Sequence, residues 1–138
     1  KRQARGFLCG PLDIAALDAK DIRRSMPRFA PDNYAANLKL LPAYMGLAQE
    51  AGCSPSQLAL AWLLHKGEDL IPIPGTTSVE HLHDDLGAKL LTIVHTAVNV
   101  KLSADLIARV EDLINERTVV GDRYNAQANS EVDTEAFA

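Results

Sequence analysis

Asp69-Leu70-Ile71-Pro72-Ile73-Pro74-Gly75-Thr76-Thr77-Ser78-Val79-Glu80-His81-Leu82-His83-Asp84-Asp85-Leu86-Gly87-Ala88 is the stretch whose reading decides the fold. Leu70 to Ile73 reads as a short buried strand, Pro74-Gly75 as a turn, and the rest as a helix with hydroxyls in its first turn. Thr77 and Glu80 have the T-x-x-E spacing of a capping box, which predicts a helix start at Thr77 or Ser78. A strand that hands over at once to a capped helix aims several backbone N–H groups at one place. Such a place attracts anions, phosphate above all. Pro72 removes one ladder donor, so in isolation the strand reads as an edge.

Working outward, Ser54-Pro55-Ser56-Gln57 is the cleanest helix start in the chain: Ser54 caps, Pro55 fits the first turn, and Gln57 completes a capping box. Leu58, Ala61, Trp62 and His65 follow on one stripe, widened by Ala59 and Leu63, and Lys66-Gly67 ends the helix. His65, near that end, reads as a surface histidine favoured by the helix dipole. Upstream, Pro31-Asp32 opens a helix with Asp32 as its cap, and Tyr34, Leu38, Leu41 and Met45 recur at helical spacing. Pro42 inside that pattern predicts a kink or a junction of two helices near Leu38–Leu41, with the end at Gly52. Ser103 caps a last helix from Ala104 to about Glu116, with Leu106, Val110 and Leu113 on one face. Residues 15–29 read as a solvated helix or loop whose Arg23, Arg24 and Arg28 could steer a phosphate. The segment Lys89 to Ala97 is crowded with Val, Ile and Thr and favours strand. The tail 118–138 is polar and acidic, read as extended over the surface or disordered.

At 138 residues, 47% hydrophobic and 23% charged, the chain is sized for a single domain spanning 1–138. A formal net charge of −4 argues against nucleic acid or an anionic membrane as the main partner. No apolar run approaches the roughly 20 residues that span a bilayer. The two cysteines, Cys9 and Cys53, sit far apart in no metal-like spacing and read as reduced, partly buried thiols, for which the cytoplasm is the expected compartment. On a helix His81 shares a face with Asp84 and Asp85 while His83 points elsewhere. That set reads as a solvated face, and no metal is expected.

The wording of several segments is more specific than their spacing. Arg5-Gly-Phe-Leu-Cys-Gly10, Ser54-Pro-Ser-Gln-Leu-Ala-Leu-Ala-Trp-Leu-Leu64, Leu70 to Ala88 and Asn99-Val-Lys-Leu-Ser-Ala-Asp105 together resemble the C-terminal portion of an aldo-keto reductase. The resemblance implies an α/β fold, the last part of a (β/α)8 TIM barrel, which typically takes about 250 residues. Taken alone, such a portion is expected to be mostly helical, with one or two strands and an exposed apolar face that favours self-association. The family reduces aldehydes or ketones with a nicotinamide cofactor, using a tyrosine, lysine, aspartate and histidine that lie in its N-terminal half. Nothing here resembles those motifs, and Tyr34, Tyr44 and Tyr124 all stand in other contexts. No catalytic residue is assigned, and the chain by itself is expected to be inactive.

What the resemblance implies instead is half of a cofactor site. Gly6, Phe7 and Leu8 would run along the pyrophosphate. Gly75, Thr76, Thr77 and Ser78 would take the adenosine phosphate. His81 stands where many members have arginine, and Asp84 and Asp85 where Glu-Asn usually meets adenine. Gly75 replaces a frequent lysine, and Asp85 exchanges a donor-plus-acceptor for an acceptor. NADP(H) comes first by family, with NAD(H) open. A reading from another class is a catalytically silent helical module that binds a protein partner, for instance through the segment 89–98.

Overall fold

Prolines and glycines divide this chain into short helices. The computed structural model describes residues 3–76, 78–86 and 102–130, and every regular element among them is helical. The α-helices are α1 (Pro31–Leu38), α2 (Leu41–Glu50), α3 (Pro55–His65), α4 (Val79–Leu86), α5 (Ala104–Leu113) and α6 (Ala126–Ser130), joined by 3-10 turns at Gln3–Cys9, Ile22–Ser25 and Pro27–Phe29. Two compact units form, one within 1–12 and 40–115, the other within 13–39 and 116–138.

In the first unit the helix ends follow from local chemistry. Pro42 lies in the first turn of α2, where its missing N–H costs nothing, so the predicted break falls between Leu38 and Leu41. The far end of α2 is a Schellman motif: Cys53 N–H donates to Ala48 O at 3.0 Å, Gly52 N–H to Gln49 O at 3.0 Å, and Gly52 takes φ 67°. Ser54 then caps α3, its Oγ accepting from Gln57 N–H at 3.2 Å while Gln57 Oε1 accepts from Ser54 N–H at 2.9 Å. Ser103 caps α5 in the same way through Leu106 N–H. α5 stops at Leu113, a turn before the expected Glu116, because Ile114 leaves helical backbone at φ −120°.

The core lies where α2, α3 and α5 meet. Tyr44, Leu47 and Ala48 from α2 pack on Leu58 and Ala61 from α3 and on Leu102, Leu106 and Val110. Tyr44 is buried nearly completely and its hydroxyl donates to Pro55 O at 3.0 Å; burial pushes its phenol above the usual range. Trp62 Nε1–H donates to Glu111 Oε1 at 3.0 Å, and Lys66 lies over the indole ring and pairs with the same carboxylate. Lys66, and after it Trp62, hold the Glu111 carboxyl below the usual carboxylate range. Arg109 forks onto Glu50 at 2.7 and 2.8 Å, joining α5 to α2 at the surface, where such pairs contribute little.

The second unit corrects one expectation, the Asp32 cap, and adds detail to two others. α1 begins at Pro31 with no side-chain cap, so Asp32 is a first-turn residue. The arginines are engaged with protein: Arg23 with Asp21, Arg24 with the carbonyls of Ala15, Leu17 and Asp18, and Arg28 with Gly121 O at 2.9 Å. The tail is ordered as far as Ser130; residues 131–138 lie outside the described residues. Asn37, 2% exposed, holds it: Val120 N–H donates to Asn37 Oδ1 at 2.8 Å, and Asn37 Nδ2 donates to Val120 O at 2.9 Å. Gly121 passes so close to Asn33 and the Pro27–Arg28 backbone that an added Cβ would lie 2.8–3.0 Å from them, and its φ is 90°. Phe29 and Tyr34 stack with ring centroids 5.9 Å apart.

Leu70–Ile73 forms no strand. A ladder needs a neighbouring strand, and none exists among the described residues. Thr77 and the segment 89–97 lie outside the described residues, so the strand expected of the latter does too.

Replacing Asn37 by Leu strips the Val120 amide and carbonyl of their partners. The expected loss is about 1–3 kcal/mol, read as a lower denaturation midpoint together with faster hydrogen exchange at Val120.

Candidate functional site

Three of the expected cofactor residues, Gly6, Phe7 and Leu8, sit on the 3-10 turn Gln3–Cys9. Its backbone is left-handed at Ala4 (φ 47°), Arg5 (φ 61°) and Gly6 (φ 93°). Only at Gly6 is that conformation free of a Cβ penalty. Leu8 does not project freely: it packs against the core and lines an apolar cavity of about 240 Å³ with Tyr44, Trp62, Leu63, Val110 and Ile114. The turn is tied to α3 through Cys9, whose Sγ lies 3.3 Å from Ser56 Oγ.

The second group surrounds the start of α4. Thr76 Oγ1 accepts from Ser78 N–H at 3.1 Å and donates to Ser78 O at 3.3 Å. Ser78 Oγ accepts from His81 N–H at 3.3 Å. The His81 N–H is therefore capped by Ser78, one of the two expected starts, and Thr76 fixes the Ser78 backbone in the turn before it. The Thr77–Glu80 box falls on Thr77, which lies outside the described residues. Ser78 keeps its hydroxyl proton for a further acceptor, and the first-turn N–H groups lend the site partial positive charge. Gly75 is exposed, and Thr76 and His81 are half-buried.

Asp84 is half-buried and bonded to α3. Its Oδ2 accepts from Ser54 Oγ at 3.1 Å and its carbonyl accepts from Gln57 Nε2 at 3.0 Å. Asp85 is 9% exposed. The same four residues, Ser54 to Gln57, thus hold both groups: Ser56 holds the 3-10 turn, and Ser54 and Gln57 hold α4. Reading the sequence identified the box but not what it would grip. The signal was a second hydroxyl, Ser56, and the amide donor of Gln57 inside a helix start already satisfied by Ser54.

Cys53 stands beside this junction as a half-buried thiol, and neither it nor Cys9 forms a disulfide. Burial pushes the Cys53 thiol up, and the negative charge of Asp84 adds to the shift. Among the described residues no group of three metal-binding side chains gathers, and no helix is long and apolar enough to cross a membrane.

Comparison with known proteins adds an independent finding. The sequence model described as the aldo/keto reductase family matches residues 9–114. A curated relative from Schizosaccharomyces pombe, named aldo-keto reductase yakc with NADP(+) in its name, is 35% identical over 132 residues. Those residues make up 93% of this chain and 35% of that protein, so the chain spans about a third of the relative's length.

Because the thiolate is the reactive form, Cys53 should be alkylated by iodoacetamide at pH 8 more slowly than free cysteine. Asp84→Asn removes the charge that disfavours the thiolate and should speed the reaction roughly two- to fivefold, read by peptide mass spectrometry. An unchanged rate would show that Asp84 exerts no charge effect on the thiol.

Proposed function

Since this chain belongs to the aldo/keto reductase family, we propose that it is the C-terminal, cofactor-holding portion of an NAD(P)H-dependent oxidoreductase that reduces aldehydes or ketones. The family's fold is the TIM barrel, and residues 1–138 are read as part of one such domain. The observation that carries the proposal is the joint anchoring of the two expected cofactor segments on the first turn of α3, by Cys9–Ser56 on one side and by Ser54–Asp84 and Gln57–Asp84 on the other.

The residues at the start of α4 fit a phosphate. Thr76 and Ser78 supply hydroxyls, Gly75 is exposed beside them, and the helix terminus supplies N–H groups. Thr77 belongs to the same proposed set. Gly6, Phe7 and Leu8 take the pyrophosphate side, with Leu8 seating the turn against the core. His81 stands by the phosphate, and Asp84 and Asp85 close the adenine end. Asp84 does so as the group that fixes α4 to α3, a supporting role. A bound nicotinamide would supply the hydride. The carbonyl oxygen must gain a proton as the hydride arrives, and no residue here is assigned to deliver it. The catalytic tyrosine, lysine, aspartate and histidine are proposed to lie outside this chain, so that a carbonyl substrate binds only with the rest of a barrel. NADP(H) comes first, supported by the name of the relative, with NAD(H) second because Gly75 and His81 replace basic residues. The cytoplasm is the proposed compartment.

A partner-binding helical module without chemistry is the second reading. It is favoured by the exposure of Leu70, Ile71, Ile73, Val79 and Leu82. Reductase activity in the 138-residue chain would rule it out.

Trp62 is the single tryptophan, so its fluorescence can follow titration with NADPH and NADH once circular dichroism has verified helicity. Saturable quenching is expected, and His81→Arg should tighten NADPH about tenfold, or 1.4 kcal/mol, with little change for NADH. A helical chain that binds neither dinucleotide would overturn the proposal that the site is formed here.

A further inference from the structure

α3, α5 and the 3-10 turn Gln3–Cys9 do not close completely on one another. Between them lies the cavity of about 240 Å³, walled by Leu8 from the turn, by Ala59, Trp62 and Leu63 from α3, and by Val110 and Ile114 at the end of α5. Trp62, Leu63 and Ile114 are half-buried, so the cavity opens to solvent. The polar groups on its wall are few and mostly engaged. The Tyr44 hydroxyl donates to Pro55 O, and Trp62 Nε1–H donates to Glu111 Oε1. Glu111 is the one charged residue lining the cavity among the described residues. Lys66 pairs with it at the same oxygen, Oε1. Glu111 Oε2 takes neither of these bonds, and a carboxylate oxygen has two acceptor sites to offer.

We propose that this cavity binds a neutral two-ring aromatic molecule bearing one hydroxyl, with its rings against Trp62 and its hydroxyl donating to Glu111. Volume sets the size of the ligand. An engineered apolar cavity of about 150 Å³ takes up a single benzene ring, so a cavity of about 240 Å³ has room for two fused rings. Apolar walls exclude a molecule with several polar groups, since each would lose its water without gaining a hydrogen bond. Charge sets the rest. Glu111 repels an anion. Its own charge is already compensated by Lys66, so a cation gains little there and would lose its hydration. A neutral hydroxyl meets neither cost, and a hydrogen bond to a carboxylate is the stronger kind. The rings gain further from packing on the indole. No residue of α4 lines the cavity, and neither Gly6 nor Phe7 does. The α4 start is thus left to the phosphate, and the inference stands apart from the cofactor reading.

Calorimetric titration of the full 138-residue chain with 2-naphthol, without dinucleotide, is the test, with Trp62 fluorescence as a second readout. One site per chain is expected, with a Kd of roughly 100 μM. Naphthalene, which lacks the hydroxyl, should bind about tenfold more weakly, and 2-naphthoate, an anion, should not bind measurably. Glu111→Ala should lower 2-naphthol to the affinity of naphthalene while leaving naphthalene itself unchanged, a split that a general loosening of the fold would not produce. Ala59→Phe fills the cavity from α3 and should abolish binding of both, with helicity verified by circular dichroism. Ile114→Phe fills it from the end of α5 and serves as the second check should Ala59→Phe lose helicity. No saturable binding of 2-naphthol to the wild type, or unchanged binding in a helical filled variant, would overturn the site. Equal affinity for naphthalene and 2-naphthol, or a Glu111→Ala variant that still tells them apart, would overturn the role of Glu111.

Discussion

One turn of helix, Ser54 to Gln57, anchors both segments expected to form the cofactor site. Its capping box satisfies the backbone donors of the α3 start, as in many helices. Unlike most, it then spends its remaining hydrogen-bonding capacity on other segments. Ser54 Oγ accepts from Gln57 N–H and donates to Asp84. Gln57 accepts from Ser54 N–H through Oε1 and donates to the Asp84 carbonyl through Nε2. Ser56 meets Cys9. Hydrogen bonds to a carboxylate are the stronger kind, so the link to α4 is firmer than a neutral pair would give.

That turn can act as an anchor because it is itself held at both ends. The Schellman motif after α2 delivers Cys53 and Ser54 in a fixed direction, and Tyr44 of α2 reaches Pro55 O across the core. Leu58 and Ala61, one turn further along α3, are completely buried against α2 and α5. Packing sets where α3 lies, capping sets where it starts, and the start sets where the 3-10 turn and α4 attach. The start of α4 needs this chain of support, since α4 is only eight residues long and short helices are marginal alone.

Much of this was legible in the sequence, for physical reasons that differ by element. Caps and breaks are local: Ser54, Pro55 and Gln57, Ser103, Pro42 and Gly52 each act through their own or adjacent backbone, and each was read correctly. The start of α4 was placed at Thr77 or Ser78, and Ser78 caps His81 N–H; the contact by which Thr76 fixes Ser78 is one that spacing rules do not contain. The Leu70–Ile73 strand failed because β structure requires partners that no window of the chain can supply. Asn37 was missed because an asparagine at helical spacing from Tyr34 carries no mark of its partner at Val120. The bond from Ser54 to Asp84 was not legible either. Which of the acidic residues on α4 turns inward depends on where α3 lies.

The family membership and the anchored turn converge on one claim, that the two halves of the proposed cofactor-binding surface are positioned by the first turn of α3. Hydrogen–deuterium exchange on wild type and on Ser54→Ala with Gln57→Ala tests it most directly. Protection should fall in 3–9 and in 79–86 together, while α2 amides such as Leu47 and Ala48 keep theirs. Loss confined to residues 55–58, with α4 and the 3-10 turn unchanged, would contradict the account.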